Sequence, residues 1–202
     1  MPKRIVIGIT GASGAGYARR VMEVAAEADV EMHLTVSALG RRLLFEELRM
    51  KKVDADALTG GRGHLVTVCN DNDLGATIAS GSFLHDGMVI VPCSSNTLGA
   101  IAAGVTDNLV KRAAAVTLKE RRRLILAHRE TPLSHVDIAN MERLSTAGAI
   151  IAPLAPGFYL RPQTIGDLVD FMAARILDLL DIPHELNARW EEHLADPPVE
   201  RG

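Results

Sequence analysis

The first seventeen residues contain the feature that most limits how this chain can fold, a strand followed directly by a glycine-rich turn and a helix. Ile5 to Ile9 reads Ile-Val-Ile-Gly-Ile, the nearly continuous apolar run of a buried parallel strand. Gly11, Gly14 and Gly16 follow, and helical periodicity runs from Tyr17 to Ala28. Such a turn presents backbone N–H groups and the positive end of a helix dipole to an anion. The GxxGxG spacing predicts a phosphate-bearing ligand without specifying NAD. A turn that only packs the helix onto the sheet is the alternative.

Apolar strands and amphipathic helices alternate along the rest of the chain. The pattern predicts strands at 30–36, 65–69, 87–92, 123–128 and 149–152, helices at 38–48, 74–79, 106–118, 134–147 and 164–180, an alanine-rich helix after residue 97, and loops at 51–63 and 153–162. Strands that alternate with helices at this pace form a parallel sheet with helices on both faces. We therefore expect a three-layer, doubly wound α/β fold, with residues 1–202 in a single domain.

The composition restricts the partners and the compartment of the protein. Hydrophobic residues make up 48% of the chain but aromatic residues only 3%, which fits small side chains packed between sheet and helices and extensive contact between subunits. A net charge of −3 argues against nucleic acid as the main partner. Since no apolar run has membrane-spanning length and no signal peptide is evident, we expect a cytoplasmic protein that does not bind a membrane.

Neither a disulfide framework nor a metal site is indicated. Cys69 and Cys93 are isolated in the sequence, without a CxxC pair, and the seven histidines lack the HxxxH spacing of metal ligands. No cluster of Asp residues suggests Mg²⁺. We therefore expect chemistry that does not require a metal.

Three of the predicted strands end in polar or glycine-rich loops, at residues 10–16, 93–97 and 129–133. Ligands of doubly wound sheets bind beyond the carboxyl ends of the strands, so these loops are expected to meet and to form the site. The polar run at 94–97, Ser-Ser-Asn-Thr, favours contact with a ligand because capping a helix needs only one such residue. Simple capping is the alternative.

Charged and aromatic residues near the ends of elements are further candidates. Arg129 and Glu130 follow a strand directly, which suits Arg129 for an anionic cofactor group and Glu130 for acid or base chemistry; a structural ion pair is the alternative. Arg175 lies mid-helix among apolar residues, so its charge must be paired or must face an anion. Tyr159 lies in a proline-rich loop and could equally be an ordinary packed tyrosine. The charged run at 119–123 is typical of a solvated helix end.

Six motifs occur in a fixed order along the chain. They are Gly-Ile-Thr-Gly-Ala-Ser-Gly at 8–14, Ala-Ser-Gly-Ser-Phe at 79–83, Gly-Met-Val-Ile-Val-Pro-Cys-Ser at 87–94, Leu-Lys-Glu-Arg-Arg at 118–122, Arg-Glu-Thr-Pro-Leu at 129–133 and Phe-Tyr-Leu-Arg-Pro-Gln at 158–163. Together they resemble the UbiX-type flavin prenyltransferase family over nearly the whole chain. The last two motifs are specific as a pair, whereas the glycine turn alone would not be.

The resemblance implies a flavodoxin-like or Rossmann-like protein that forms a homo-oligomer, usually a dodecamer. The family joins a dimethylallyl group from dimethylallyl phosphate to N5 and C6 of reduced FMN, and phosphate leaves. The prenylated FMN is delivered to a UbiD-type decarboxylase. A C-terminal tail, about 181–202 here, would cover the site or a neighbouring subunit.

The resemblance also implies roles for individual residues. Those that match FMN-binding positions are Gly11, Ala12, Ser13, Ser37, Ser94, Ser95, Asn96, Thr97 and Arg129. Those that match the donor site are Tyr159, Arg175, Arg112 and Trp190, the last as an aromatic residue of the tail that closes the site. The implied catalytic residues are Glu130 as the acid–base group near the leaving phosphate, Lys119 as an assisting cation, and Glu47 as a second carboxylate, for which Glu46 is the alternative match.

One departure from the family pattern leaves other functions open. Asn96 stands where many members carry Lys or Arg, and Ser-Ser-Asn-Thr at 94–97 with Gly-Val-Thr-Asp-Asn at 104–108 also resembles the flavin-dependent cysteine decarboxylases. Those proteins lack the two specific motifs, and their catalytic His has no counterpart here because His85 is displaced from its position. A non-catalytic FMN carrier is the third possibility, and it would require neither Glu130 nor Arg175.

Overall fold

Six parallel strands form one sheet in the computed structural model, which describes residues 2–186. The strands are β1 (Arg4–Ile9), β2 (Glu31–Val36), β3 (Val66–Cys69), β4 (Gly87–Cys93), β5 (Leu124–His128) and β6 (Ile150–Ile151). The helices within this range are α1 (Ala15–Glu27), α2 (Ala38–Leu48), α3 (Ala55–Thr59), α4 (Ser95–Ala102), α5 (Leu109–Lys119), α6 (His135–Thr146) and α7 (Ile165–Leu179), with 3₁₀ turns at Gly63–Leu65 and Thr77–Ala79. Among these residues, no helix combines the length and the apolar character needed to cross a bilayer.

Helices cover both faces of the sheet, which explains why its central strands are almost wholly apolar. All seven residues of β4 and all five of β5 are buried. Buried residues of α1 and α7 pack on one face, and those of α4 and α5 with Leu144 of α6 pack on the other. The expected three-layer, doubly wound, flavodoxin-like α/β fold is therefore confirmed.

The order of the strands, β3-β2-β1-β4-β5-β6, determines where a ligand can bind. The direction of winding reverses between β1 and β4, and ligands of such sheets occupy the crevice beyond the carboxyl ends at that reversal. Thr10, buried at the end of β1, joins the two strands there. Its hydroxyl donates to the Pro92 carbonyl at 2.8 Å and accepts from the Ser94 N–H at 3.0 Å.

Two predictions between residues 51 and 79 were wrong. The segment 51–63, predicted to be a loop, contains α3, whose first turn is capped by the Asp54 side chain and whose end has Gly60 in the left-handed region at φ 61°. Leu58 of this short helix is fully buried, which anchors it to the core. The helix predicted at 74–79 is only the 3₁₀ turn Thr77–Ala79. The many charged residues around α3 led to the prediction of a loop, although Asp54 and Gly60 are residues typical of helix caps.

The start of α2 packs unusually closely on the end of β1. A methyl group added at Gly40, in the first turn of α2, would lie 2.5 Å from the Ile9 carbonyl oxygen. A methyl group at Gly11 would lie 2.5 Å from Cβ of Leu39. These glycines therefore bring the α2 N-terminus, capped by Ser37, against the carboxyl edge of the sheet.

Substitution of Gly40 by Ala tests this close approach. Because the backbone of β1 cannot yield cheaply, we expect the free energy of unfolding to fall by about 1–3 kcal/mol, as for other overpacked sites. Gly16→Ala is the matched control, since nothing beyond the adjoining residues and backbone of α1 itself lies within 4 Å of the added methyl group. Chemical denaturation of both variants measures the difference. Equal stabilities would contradict the close packing of α2 on β1.

Candidate functional site

The loops after β1, β2, β4 and β5 meet at the carboxyl edge of the sheet. The Ser37 N–H donates to the Ile9 carbonyl at 3.0 Å, which links the second loop to the first. The guanidinium of Arg129 donates through Nε to the Ser13 carbonyl at 3.2 Å, and the Arg129 N–H donates to the Cys93 carbonyl at 3.2 Å. The expectation that the loops at 10–16, 93–97 and 129–133 come together is therefore confirmed.

The N-terminus of α1 is occupied by a carboxylate of the protein itself. Glu47 Oε2 accepts hydrogen bonds from the Ala15 N–H at 2.8 Å and from the Gly14 N–H at 3.1 Å. Gly14 reaches this geometry at φ 133°, a conformation that glycine adopts without strain. An anion at this place interacts favourably with the helix dipole. The first turn of α1 therefore already holds a negative charge, contributed by α2.

This contact changes how the glycine turn is interpreted. The sequence predicted that the N-terminus of α1 would hold a ligand phosphate, but its Gly14 and Ala15 amides bind Glu47. Glu47, and not Glu46, is the carboxylate beside the turn, because Glu46 forms an exposed ion pair with Arg42 at 2.7 Å. The outer part of the turn, where Gly11 and Ser13 are exposed, remains available to bind a ligand phosphate.

The hydroxyl groups after β2 and β4 cap helices, as the alternative interpretation of the polar run stated. Ser37 accepts from the Gly40 N–H at 3.0 Å, and Ser94 accepts from the Thr97 N–H at 3.3 Å. Ser94 also donates to the Thr97 hydroxyl at 3.1 Å, which leaves the Thr97 proton for another acceptor. Asn96 is exposed beside them. Capping therefore positions these groups without using all of their hydrogen-bonding capacity.

Arg129 and Glu130 do not form the structural ion pair considered from the sequence. Arg129 turns toward the glycine turn, whereas the Glu130 carboxylate accepts from the Thr131 N–H at 3.1 Å and is exposed. A cation thus lies against the loop after β1, and a carboxylate stands beside it at the open edge. This pair suits recognition of an anion next to a proton-transferring group.

Sequence reasoning missed His128 and Asp137, which lie around Ser95 at the same edge. His128 is buried at the end of β5, and its Nε2 lies 3.0 Å from the Ser95 hydroxyl. Hydrogen bonds from the Ser134 hydroxyl, the Ser95 hydroxyl and the Ser134 N–H hold the pKa of Asp137 at about 2. Burial lowers the pKa of His128, despite the opposing influence of Asp137 and Glu130, so the imidazole is neutral at pH 7. In the sequence, the one indication of this arrangement was the polar residue His128 at the end of an apolar strand.

Two predicted site residues, Arg112 and Lys119, face the segment 79–83 instead of the carboxyl edge. Arg112 donates to the Ala79 carbonyl at 3.2 Å, and Lys119 pairs with the Glu120 carboxylate. Lys119 ends α5, and the chain then enters β5 at Leu124, so Lys119 lies near the amino ends of the strands. The strand β5 between these positions, Leu124–His128, rises by about 13 Å, so Lys119 and Glu130 lie at opposite ends of a full strand within one chain.

The environment predicted for Arg175 was wrong. Its side chain is 53% exposed and pairs with Asp178 at 3.0 Å, so the arginine lies on the outer face of α7 and not among apolar residues. The apolar neighbours in sequence, including Met172 and Ile176, point to the opposite, buried face. The charge of Arg175 is thus paired, which is one of the two alternatives that the sequence left open, although the surrounding side chains are not apolar.

Tyr159 combines packing with exposure. Its ring makes an edge-to-face contact with Phe171, with centroids 5.6 Å apart, yet the residue is 41% exposed. The loop that carries it begins beside the site, since the Leu154 N–H donates to the His128 carbonyl at 2.8 Å. Trp190 lies outside the described residues.

The donors available at the carboxyl edge fit an anionic, hydroxyl-rich cofactor such as FMN. Ser13 and Asn96 are exposed, Thr97 retains a hydroxyl proton, and Arg129 supplies a positive charge. Among residues 2–186, no three His, Cys, Asp or Glu side chains are grouped so as to hold a metal ion. Burial also raises the pKa of Cys93 to about 12, so its thiol stays protonated and is a poor nucleophile.

The contact between Glu47 and the α1 amides leads to a stability prediction. Glu47→Gln keeps an acceptor but removes its charge, so we expect the free energy of unfolding to fall by about 1 kcal/mol, the scale of a charge at a helix N-terminus. Glu46→Gln is the control and should change stability by less than about 0.5 kcal/mol, as for exposed ion pairs. Urea denaturation measures both. Equal losses in the two variants would show that the carboxylate does not stabilise α1.

Comparison with known proteins agrees with this geometry. The family model described as Flavoprotein matches residues 1–177. A flavin prenyltransferase UbiX of Thermoplasma acidophilum is 46% identical over 187 residues, which cover 93% of this chain and 99% of that protein.

Two solved structures are also similar. The crystal structure of AnUbiX (PadA1) in complex with FMN and dimethylallyl pyrophosphate has a TM-score of 0.85 and 41% identity, and covers 94% of this chain and 98% of that one. A dodecameric FMN-dependent UbiX-like decarboxylase from Escherichia coli O157:H7 has a TM-score of 0.84 and 39% identity, and covers 93% and 98%. The chain therefore belongs to the Flavoprotein family and, within it, to the UbiX-type flavin prenyltransferases.

Proposed function

We propose that this protein is a flavin prenyltransferase, which transfers a dimethylallyl group from dimethylallyl phosphate to N5 and C6 of reduced FMN. The observation that carries the proposal is the 46% identity to a flavin prenyltransferase over 93% of the chain. The product would be prenylated FMN, destined for a UbiD-type decarboxylase.

FMN would bind at the carboxyl edge through groups that the fold already aligns. Gly11, Ala12 and Ser13 of the outer turn and the hydroxyl of Ser37 would surround one part of the cofactor. The side chains of Ser94, Asn96 and Thr97 would contact another part, while Arg129 supplies the positive charge that an anionic cofactor requires. Bound reduced FMN supplies the nucleophilic N5 and C6 atoms of the reaction.

Glu130 is the acid–base residue of this proposal. Its exposed carboxylate lies next to the Arg129 guanidinium in sequence and bonds only to the neighbouring Thr131 backbone among the hydrogen bonds of residues 2–186. It can therefore rotate toward a ligand at little energetic cost. In the reaction it would exchange a proton with the leaving phosphate, which makes phosphate a better leaving group. Glu47, which faces the turn from the other side, would hold the loop after β1 in place.

The cations that would bind the donor phosphate lie away from the carboxyl edge of the same chain. Arg112 and Lys119 are on α5, and Arg175 is on the outer face of α7. Three such cations around one phosphate stabilise the leaving dianion without a metal. We infer that they serve the carboxyl edge of a neighbouring copy, in a homo-oligomer such as a dodecamer, with Tyr159 and the tail residue Trp190 completing the donor site.

Two other functions remain as outcomes of the test. One is an FMN-dependent decarboxylase, because a similar structure is described as an FMN-dependent UbiX-like decarboxylase. The motifs at 94–97 and 104–108, which resemble the cysteine decarboxylases, favour a cysteine-like thiol acid as its substrate. The other is a non-catalytic FMN carrier, which would bind the flavin and leave it unchanged. Neither uses a prenyl donor, so a prenyl donor separates the transferase from both, and a thiol acid, which the decarboxylase requires, separates the decarboxylase from the carrier.

The test is anaerobic incubation of the wild-type protein with reduced FMN and dimethylallyl phosphate or diphosphate, followed by mass spectrometry of the extracted flavin. We expect the flavin to gain one C₅H₈ unit, with or without EDTA, as phosphate is released from the monophosphate donor or pyrophosphate from the diphosphate. Glu130→Gln should bind flavin and donor but react about 10²- to 10⁴-fold more slowly in a single turnover. Glu142→Gln, an exposed carboxylate of α6, is the control.

Each possible failure has a distinct meaning. A flavin of unchanged mass with both donors would contradict the proposed function, and thiol acids would then be tried. Loss of the reaction in EDTA, restored by Mg²⁺, would contradict the cation model. Wild-type rates in Glu130→Gln would make that carboxylate structural.

A further inference from the structure

The 129–133 arm, which we define as the five residues between His128 of β5 and Ser134 at the cap of α6, carries both Arg129 and Glu130. All five of its residues are exposed or only partly buried, so core packing does little to fix it. Its position must therefore depend on polar contacts at its two ends. Both ends are connected to the hydroxyl group of Ser95.

At the first end, His128 contacts Ser95 directly. The imidazole Nε2 lies 3.0 Å from the Ser95 hydroxyl oxygen, and the adjacent Arg129 N–H donates to the Cys93 carbonyl at 3.2 Å. Ser95 begins α4, two residues after Cys93. These two hydrogen bonds therefore connect the end of β5 to the end of β4 and to the start of α4.

At the second end, Asp137 connects the arm to the same hydroxyl. Its Oδ2 accepts from the Ser134 hydroxyl at 2.6 Å and from the Ser134 N–H at 3.0 Å, which closes the capping box of α6. The Ser95 hydroxyl also interacts with this carboxylate. Because an anion can only accept, we infer that the Ser95 hydroxyl directs its one proton toward Asp137, and its oxygen accepts from the Nε2–H tautomer of His128, 3.0 Å away.

We propose that Ser95 is the clamp of the 129–133 arm, a positioning residue that holds Arg129 and Glu130 at the site, and that it is not a flavin ligand. Its donor is used by Asp137 and its acceptor by His128, so little capacity remains for FMN. This differs from the role implied by the family resemblance, and only its catalytic consequence rests on the proposed function. Ser94, one residue earlier, keeps the helix-capping role.

The test compares Ser95→Ala with Ser95→Thr, which restores the hydroxyl, and with Ser145→Ala, an exposed serine of α6, as the control. Hydrogen exchange by mass spectrometry follows the Arg129 and Ser134 amides, both of which are hydrogen-bonded. We expect Ser95→Ala to accelerate their exchange by about 2- to 10-fold, the effect of losing one hydrogen bond. Ser95→Thr and Ser145→Ala should exchange like the wild type.

Flavin affinity and turnover are measured on the same variants. Ser95→Ala should keep the Kd for FMN within about 2-fold while the single-turnover rate falls several-fold, and Ser95→Thr should recover the rate. Weaker FMN binding by tenfold or more, with unchanged exchange of the arm, would overturn the proposal and make Ser95 a flavin ligand. His128→Leu removes the same contact from the other side and carries the test if Ser95→Ala does not fold. Because exchange and FMN binding need no prenyl donor, failure of the proposed reaction would leave this result intact.

Discussion

The constraint on which the structure depends is the polarity of a parallel sheet. All six strands run in one direction, so every loop that follows a strand lies at one edge, and every helix returns the chain to the other. Residues just after β1, β2, β4 and β5 are therefore collected at the carboxyl edge. The end of α5, with Lys119, is necessarily at the opposite edge, separated from the carboxyl edge by the length of β5, about 13 Å. A single chain therefore holds the two groups at opposite edges of its sheet, and this is why we propose that the site includes a second copy.

Many of the hydrogen-bond donors and acceptors at the carboxyl edge bind other groups of the protein itself. Glu47 binds the N-terminus of α1, Thr10 joins β1 to the loop after β4, and the Ser95 hydroxyl contacts His128 at the end of β5. These contacts occupy some of the hydrogen-bond donors that the sequence analysis assigned to a ligand. In return they fix the remaining donors before a ligand arrives, which reduces the reorganisation that binding requires.

The fold and the location of the site could be predicted from the sequence because both follow from periodicity and polarity. The apolar runs of β1, β4 and β5 and the loops after them were found within a residue or two. The surroundings of Arg175 could not be predicted, because its neighbours in sequence do not show which face of the helix the arginine occupies. Its exposure and its pairing with Asp178 depend on how α7 packs against α1. The Glu47 contact was equally hidden, because it joins groups 32 residues apart in sequence.

The central claim is that one site is built from two chains, and co-expression of two inactive variants tests it most directly. One variant, Glu130→Gln, would lack the carboxylate at the carboxyl edge. The other, Lys119→Ala, would lack the cation at the end of α5. If the two groups belong to different chains, random assembly leaves about a quarter of the sites with both intact, and about a quarter of the wild-type activity should return. If each site uses only its own chain, the mixed oligomers would be as inactive as the two parents, and the shared-site account would be wrong.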